Sequence, residues 1–147
     1  RPTSATSLRN SRAPVSFDAV RAAFAKAQQA HEAKAKEAYA FVDGSFADLL
    51  GRRFGVGWGN RLERQMLDFV PVVVAAGGTV GEAVDHILAT KLLRKVRDRH
   101  DTRPEDLTAL SERIAEAWPK LDKTTGAVRS TAIVRDELRR LGAEEEA

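Results

Sequence analysis

The chain has 147 residues and a net charge of +3, with 43% hydrophobic and 31% charged residues, which is room for one domain with its own core and too little for a catalytic NTPase core with accessories. It contains no cysteine, which excludes disulfides, thiolate metal sites and cysteine nucleophiles and makes the cytoplasm the natural expectation. No apolar run reaches the roughly 18 to 20 residues that a membrane span needs, and an aromatic share of only 6% leaves Leu, Val and Ala to do most of the packing, an alphabet that suits helices.

Residues 1–15 carry Ser, Thr, Arg and two prolines without periodicity and read as a flexible lead-in. The chain begins with Arg1 rather than Met, so a fragment, a processed product or a trimmed chain is expected. Ser16 is a candidate N-cap for a long helix over 16–43, in which Phe17, Val20, Phe24, Ala27, His31, Ala35, Ala38 and Val42 recur at three- and four-residue steps. Its Ala-rich middle has high helix propensity but a thin apolar stripe, so light packing or a partner is expected there. Gly44 is expected to end this helix, and Ser45 to cap a short one that Gly51 stops.

The loop Arg52-Arg53-Phe54-Gly55-Val56-Gly57-Trp58-Gly59-Asn60 either seats Trp58 in the core or lets another molecule approach the backbone closely. From Asn60, the positions Leu62, Met66, Phe69, Val70, Val73 and Val74 follow one helical face, with a kink expected at Pro71. After Gly77-Gly78, Thr79 and Glu82 have capping-box spacing, and Val80, Val84, Ile87, Leu88, Leu92 and Val96 form the next apolar stripe. So short a loop predicts an antiparallel helical hairpin. Thr102 is the expected cap of a further helix with Pro104 in its first turn, Leu107, Leu110, Ile114 and Trp118 inside and Pro119 as its stop. Ser130 is expected to open a last helix that buries Ile133, Val134, Leu138 and Leu141 and ends at Gly142, leaving 143–147 as an acidic tail. The fold class is therefore all-α, a five- to six-helix bundle with a long N-terminal Ala-rich helix, a central hairpin and a domain over 44–142.

The residues show no catalytic apparatus. A phosphate-binding G-x-x-x-x-G-K-S/T loop is absent, and the glycines at 55–59 follow no strand. His31, His86 and His100 lie far apart, and the only metal-like spacing, Glu82 with His86, uses a carboxylate assigned to the cap. The cations Lys91, Arg94, Lys95, Arg97 and Arg99 either complement the negative end of a helix or line a phosphate backbone. Arg52 and Arg53 are candidates for the same nucleic-acid surface.

Taken together, Phe54-Gly55, Asn60-Arg61-Leu62, the helix to Phe69-Val70, the spacer Ala75-Ala76-Gly77-Gly78, then Glu82-Ala83-Val84-Asp85, Ile87-Leu88, Lys91 and Leu93-Arg94-Lys95-Val96 resemble a C-terminal helical region of McrB-like AAA+ NTPases of modification-dependent restriction and anti-phage systems. The resemblance covers about 54–96. It implies a non-catalytic lid or small domain that packs over the nucleotide of an NTPase core in the same or another chain. It nominates Arg61 as a nucleotide-sensing arginine and Asp85 and Lys91 as structural contacts between helices. ATP or GTP with magnesium would then belong to the joined core, and the chain alone would hold no cofactor and no metal. A stand-alone basic module that binds DNA is the alternative, and a helical adaptor or oligomer joined through 17–42 is a third.

Overall fold

The computed structural model describes residues 16–146, with side chains to 142, so the expected lead-in over 1–15 lies outside the described residues. These are helical almost throughout, and no strand occurs among them. The elements are α1 (Phe17–Phe54), α2 (Asn60–Ala75), α3 (Val80–Ile87), a π-helical turn (Leu88–Leu92), α4 (Leu93–Arg97), α5 (Pro104–Leu121) and α6 (Val128–Glu146). The π turn joins α3 and α4 into one rod, so the described residues form a five-helix bundle.

Ser16 caps α1, its side chain accepting a hydrogen bond from the Ala19 amide at 3.0 Å. The helix does not stop at Gly44 as expected but runs on through Ser45 and Gly51 to Phe54. Continuing it keeps Val42, Phe46, Leu49 and Leu50 on one buried face, and their burial outweighs the roughly 1 kcal/mol that a mid-helix glycine costs. The Ser45 carbonyl, far from capping a new helix, accepts from Arg113 on α5 at 2.8 Å. The irregular point of α1 lies earlier, at His31 (φ −123°, ψ 18°). Before it, Phe17 is 67% and Phe24 47% exposed; after it, Ala35, Ala38 and Val42 are fully buried. The single amphipathic face read over 17–42 is thus a core face only in its second half. The helix terminates at Gly55, which takes the left-handed conformation (φ 64°). There the amides of Gly55 and Val56 cover the carbonyls of Gly51 and Leu50.

Helix α2 buries Leu62, Met66, Val70 and Pro71 and passes through Pro71 without a break. It closes in a Schellman arrangement, with Gly77 at φ 97°, the Gly78 amide on the Val73 carbonyl and the Gly77 amide on the Val74 carbonyl. This turn sends the chain back as α3, giving the expected hairpin. Thr79 caps α3 by accepting from the Glu82 amide at 3.1 Å. The π turn was not foreseen. One extra residue in the helical ladder, where the Leu93 amide bonds the Leu88 carbonyl, keeps Leu88, Leu92, Leu93 and Val96 all buried.

Helix α5 starts at Pro104, as the sequence suggested, but its N-cap is Arg103 and not Thr102. A proline at the first helical position holds the preceding residue extended, which leaves the Thr102 hydroxyl one residue too early. Its Oγ1 is buried without a hydrogen bond among the described residues. Pro119 does not stop α5 either, which ends at Leu121; Pro119 and Ala115, whose carbonyl loses its helical donor, are both exposed, so the lost bond faces solvent and not the core. Helix α6 begins at Val128, two residues before Ser130, and continues through Gly142 to Glu146, where a separate acidic tail was expected.

Two aspartates tie these helices end to end. Asp85, on α3, accepts from the amides of Arg129 and Ser130 and from the Ser130 hydroxyl at 2.6–2.9 Å, which makes a side chain of one helix the N-terminal cap of another. Asp122, just after α5, accepts from the Gly81 amide at 3.0 Å in the first turn of α3 and from Thr124 and Thr125. A side chain at Gly81 would meet Asp122 Oδ2 and Thr125 Oγ1 at 2.6 Å. The core, with Phe46, Leu50, Met66, Leu88, Leu92, Leu107 and Leu110 fully enclosed, lies between α1, α2, the α3–α4 rod and α5.

Candidate functional site

The cations singled out in the sequence fall into three places. Arg61 stands in the first turn of α2, directly after Asn60 and behind Gly59, an N-cap with no side-chain hydrogen bond. It is exposed and has no ion-pair partner among the described residues. Glu63 is exposed, and Asp68 accepts from Gln28 at 2.7 Å instead. A cation at the positive end of a helix gains nothing from the dipole.

Lys91, Arg94, Lys95 and Arg97 occupy the outer face of the π turn and α4. All four are exposed, and none pairs with a carboxylate among the described residues. Their buried neighbours Leu92, Leu93 and Val96 fix which way that face points. Lys91, expected to contact another helix, is instead part of this solvated row.

Arg52, Arg53 and Arg99 come together in a third place, where they line an open depression of about 480 Å³ with Arg103, Asp101 and Asp106. Neither Arg61 nor the row from Lys91 to Arg97 lines it. The depression lies where the C-terminus of α1 meets the N-terminus of α5. Arg53 donates to Asp106 at 2.9 Å, and Arg103 reaches the same carboxylate at 3.5 Å. Asp106 is 5% exposed, and its carboxyl is held below the usual carboxylate range, chiefly by the Arg53 hydrogen bond. Arg99 grips Asp101 with Nε and Nη2, each at 3.1 Å, and donates from Nη1 to the Phe54 carbonyl. The Arg99 hydrogen bond in turn lowers the Asp101 carboxyl. Gly55 makes this reach feasible, because a Cβ there would collide with the Arg99 guanidinium. The glycine loop therefore serves a backbone approach from within the chain, while Val56 is buried and Trp58 packs half-buried against the core.

Sequence reasoning missed Arg103. Its signal was its place directly before Pro104 with Glu105 and Asp106 following, a charged N-terminus that only the fold sets beside Arg53. Asp122 was missed too, although Asp122-Lys123-Thr124-Thr125-Gly126 is a recognisable side-chain-capped turn.

Elsewhere, His86 stacks on Phe69 (centroids 5.1 Å apart), and its Nδ1 lies 3.2 Å from Arg129 Nη1, so its ring faces an arginine rather than a Glu82-bound metal. No group of three or more metal-ligating side chains that could hold an ion occurs among the described residues. No helix among them is long and apolar enough to cross a membrane.

Fold and surface together define, among the described residues, an all-α domain with an ion-paired arginine cluster, an unpaired Arg61 and an unpaired row of four cations. Compared with protein-family models, curated proteins and solved structures, the chain matches none.

Proposed function

We propose that this chain is a non-catalytic helical domain of the lid type that works with an NTPase core, in the same or another polypeptide, on DNA in restriction or phage defence in the cytoplasm. One observation carries the reading. Arg61 is exposed at the start of the hairpin, in the helix turn least favourable to a cation, with no acidic partner among the described residues. An arginine so placed is available to an anion supplied from outside, as a sensor arginine is to the γ-phosphate side of a nucleotide. Asp85, which the same resemblance marks as structural, is the cap of α6. The core would supply the P-loop, the magnesium and the ATP or GTP. The coding sequence around this chain tests the reading: a P-loop and an acidic metal-binding strand encoded upstream of Arg1 or in an adjacent gene are the expected finding, and their absence from both overturns it.

A second reading, a basic nucleic-acid-binding surface, is favoured by the unpaired row Lys91, Arg94, Lys95 and Arg97. It predicts duplex DNA affinity that falls steeply as salt rises. A third, a helical adaptor, is favoured by the exposed Phe17, Val20 and Phe24 on one face of α1, and predicts self-association or capture of a partner helix in sedimentation.

A further inference from the structure

We infer that the depression between α1 and α5 is a binding site for a phosphoryl oxyanion, formed by Arg52, Arg53 and Arg103 on a frame fixed by Arg99 and Asp106. The inference depends neither on Arg61 nor on the row from Lys91 to Arg97. Its first ground is the division of labour among the arginines. Arg99 is spent on structure: its guanidinium nitrogens serve Asp101 and the Phe54 carbonyl, and it covers the C-terminal end of α1. Arg53 gives one nitrogen, Nη1, to the buried Asp106, which anchors its guanidinium at the depression, and the side chain stays 48% exposed with further N–H donors to offer a ligand.

The second ground is how weakly the outer two arginines are held. Arg52 pairs with Asp48 at side-chain exposures of 77% and 69%, and Arg103 with Glu105 at 67% and 62% and with the buried Asp106, both at 3.5 Å. Exposed pairs are worth little and exchange readily, so Arg52 is free to turn inward onto a ligand, and Arg103, whose contacts are long, can shift onto one beside Asp106. The third ground is charge. The lining carries four arginines against two aspartates, and the negative end of α1 that would oppose an anion is already covered by Arg99 and by the amides of Gly55 and Val56. The α5 N-terminus beside it has no side-chain cap and adds its positive dipole end. Planar forks that converge on an open polar depression suit the tetrahedral oxygens of a phosphate, whether in a free phosphoryl compound or in a phosphodiester.

Amide chemical-shift titrations of the whole chain with pyrophosphate and, separately, with a short duplex oligonucleotide test this. Shifts at residues 52, 53, 99 and 103 with pyrophosphate alone identify a free phosphoryl ligand; shifts there only with the duplex identify a phosphodiester. In either case the double variant Arg52→Gln, Arg103→Gln is expected to weaken binding at least about fivefold at an unchanged melting temperature, because both side chains are exposed. Lys91→Gln with Arg97→Gln is expected to leave pyrophosphate binding as it was. Absence of shifts at these residues with either probe, or a double variant that binds like the parent, overturns the proposal.

Discussion

Asp85 and Asp122 do at residue scale what loops and side-chain caps within one helix usually do: they satisfy the first-turn amides of a neighbouring helix. Because Asp85 serves two amides and a hydroxyl in a buried setting, its loss strands several polar groups at once. Asp85→Ala is expected to cost about 2–3 kcal/mol, read as a lower urea midpoint with an unchanged slope, whereas an exposed acid such as Glu63 should be nearly neutral on removal. Asp122 makes a pH prediction. Partial burial pushes its carboxyl up, but donors from Thr124, Thr125 and Thr79 outweigh this and hold it well below the usual carboxylate range. A depressed folded-state value means that its contribution is complete above the unfolded value of about 4 and is lost as pH falls below it toward the folded one. Urea midpoints measured against pH should therefore drop on the acid side, and Asp122→Asn should flatten that drop. The sequence showed Asp85 only through a resemblance, since nothing local reveals that an aspartate inside one helix ends opposite the start of another.

At the scale of elements, helix positions were legible wherever an apolar stripe and a cap agreed: Ser16, the Gly77-Gly78 turn, Thr79 and Pro104 all stand where the pattern put them. Illegible were the places where tertiary burial overrides a local signal. Gly44 reads as a stop until Phe46 and Leu50 are seen to need the same face as Val42, and Pro119 reads as a stop until it is seen on the exposed face of α5, where the lost bond opens to solvent and not to the core. The π turn has no sequence signature at all; it is a phase correction set by what α3 and α4 both bury. Helix α1 divides at His31, and its first half contributes no buried residue to the core. Deleting residues 1–30 is therefore expected to preserve cooperative unfolding and to lower the melting temperature by no more than about 5 °C. Hydrogen exchange on the intact chain should show amides in 17–30 opening well before those in 35–54. Loss of cooperativity on truncation would mean that the α1–α2 contact there, including the Gln28–Asp68 hydrogen bond, matters more than burial suggests.

At the scale of the whole molecule, all-α architecture followed from composition and periodicity, because an Ala- and Leu-rich chain whose apolar residues recur at three- and four-residue steps has helices to pack. The distribution of charge did not follow. Arg52, Arg53 and Arg99 could be nominated one by one, but their meeting, and the entry of Arg103, depends on α1 ending beside the start of α5, a fact of topology some fifty residues apart in the chain. Arg61 was legible as a cation without a helical reason to be there, and the structure leaves it open. The direct test of the lid account is the nucleotide turnover of this domain together with the NTPase core that the account requires, compared with that of Arg61→Ala. The account predicts a fall of at least about tenfold with the variant's melting temperature unchanged; equal turnover by the two proteins would contradict it.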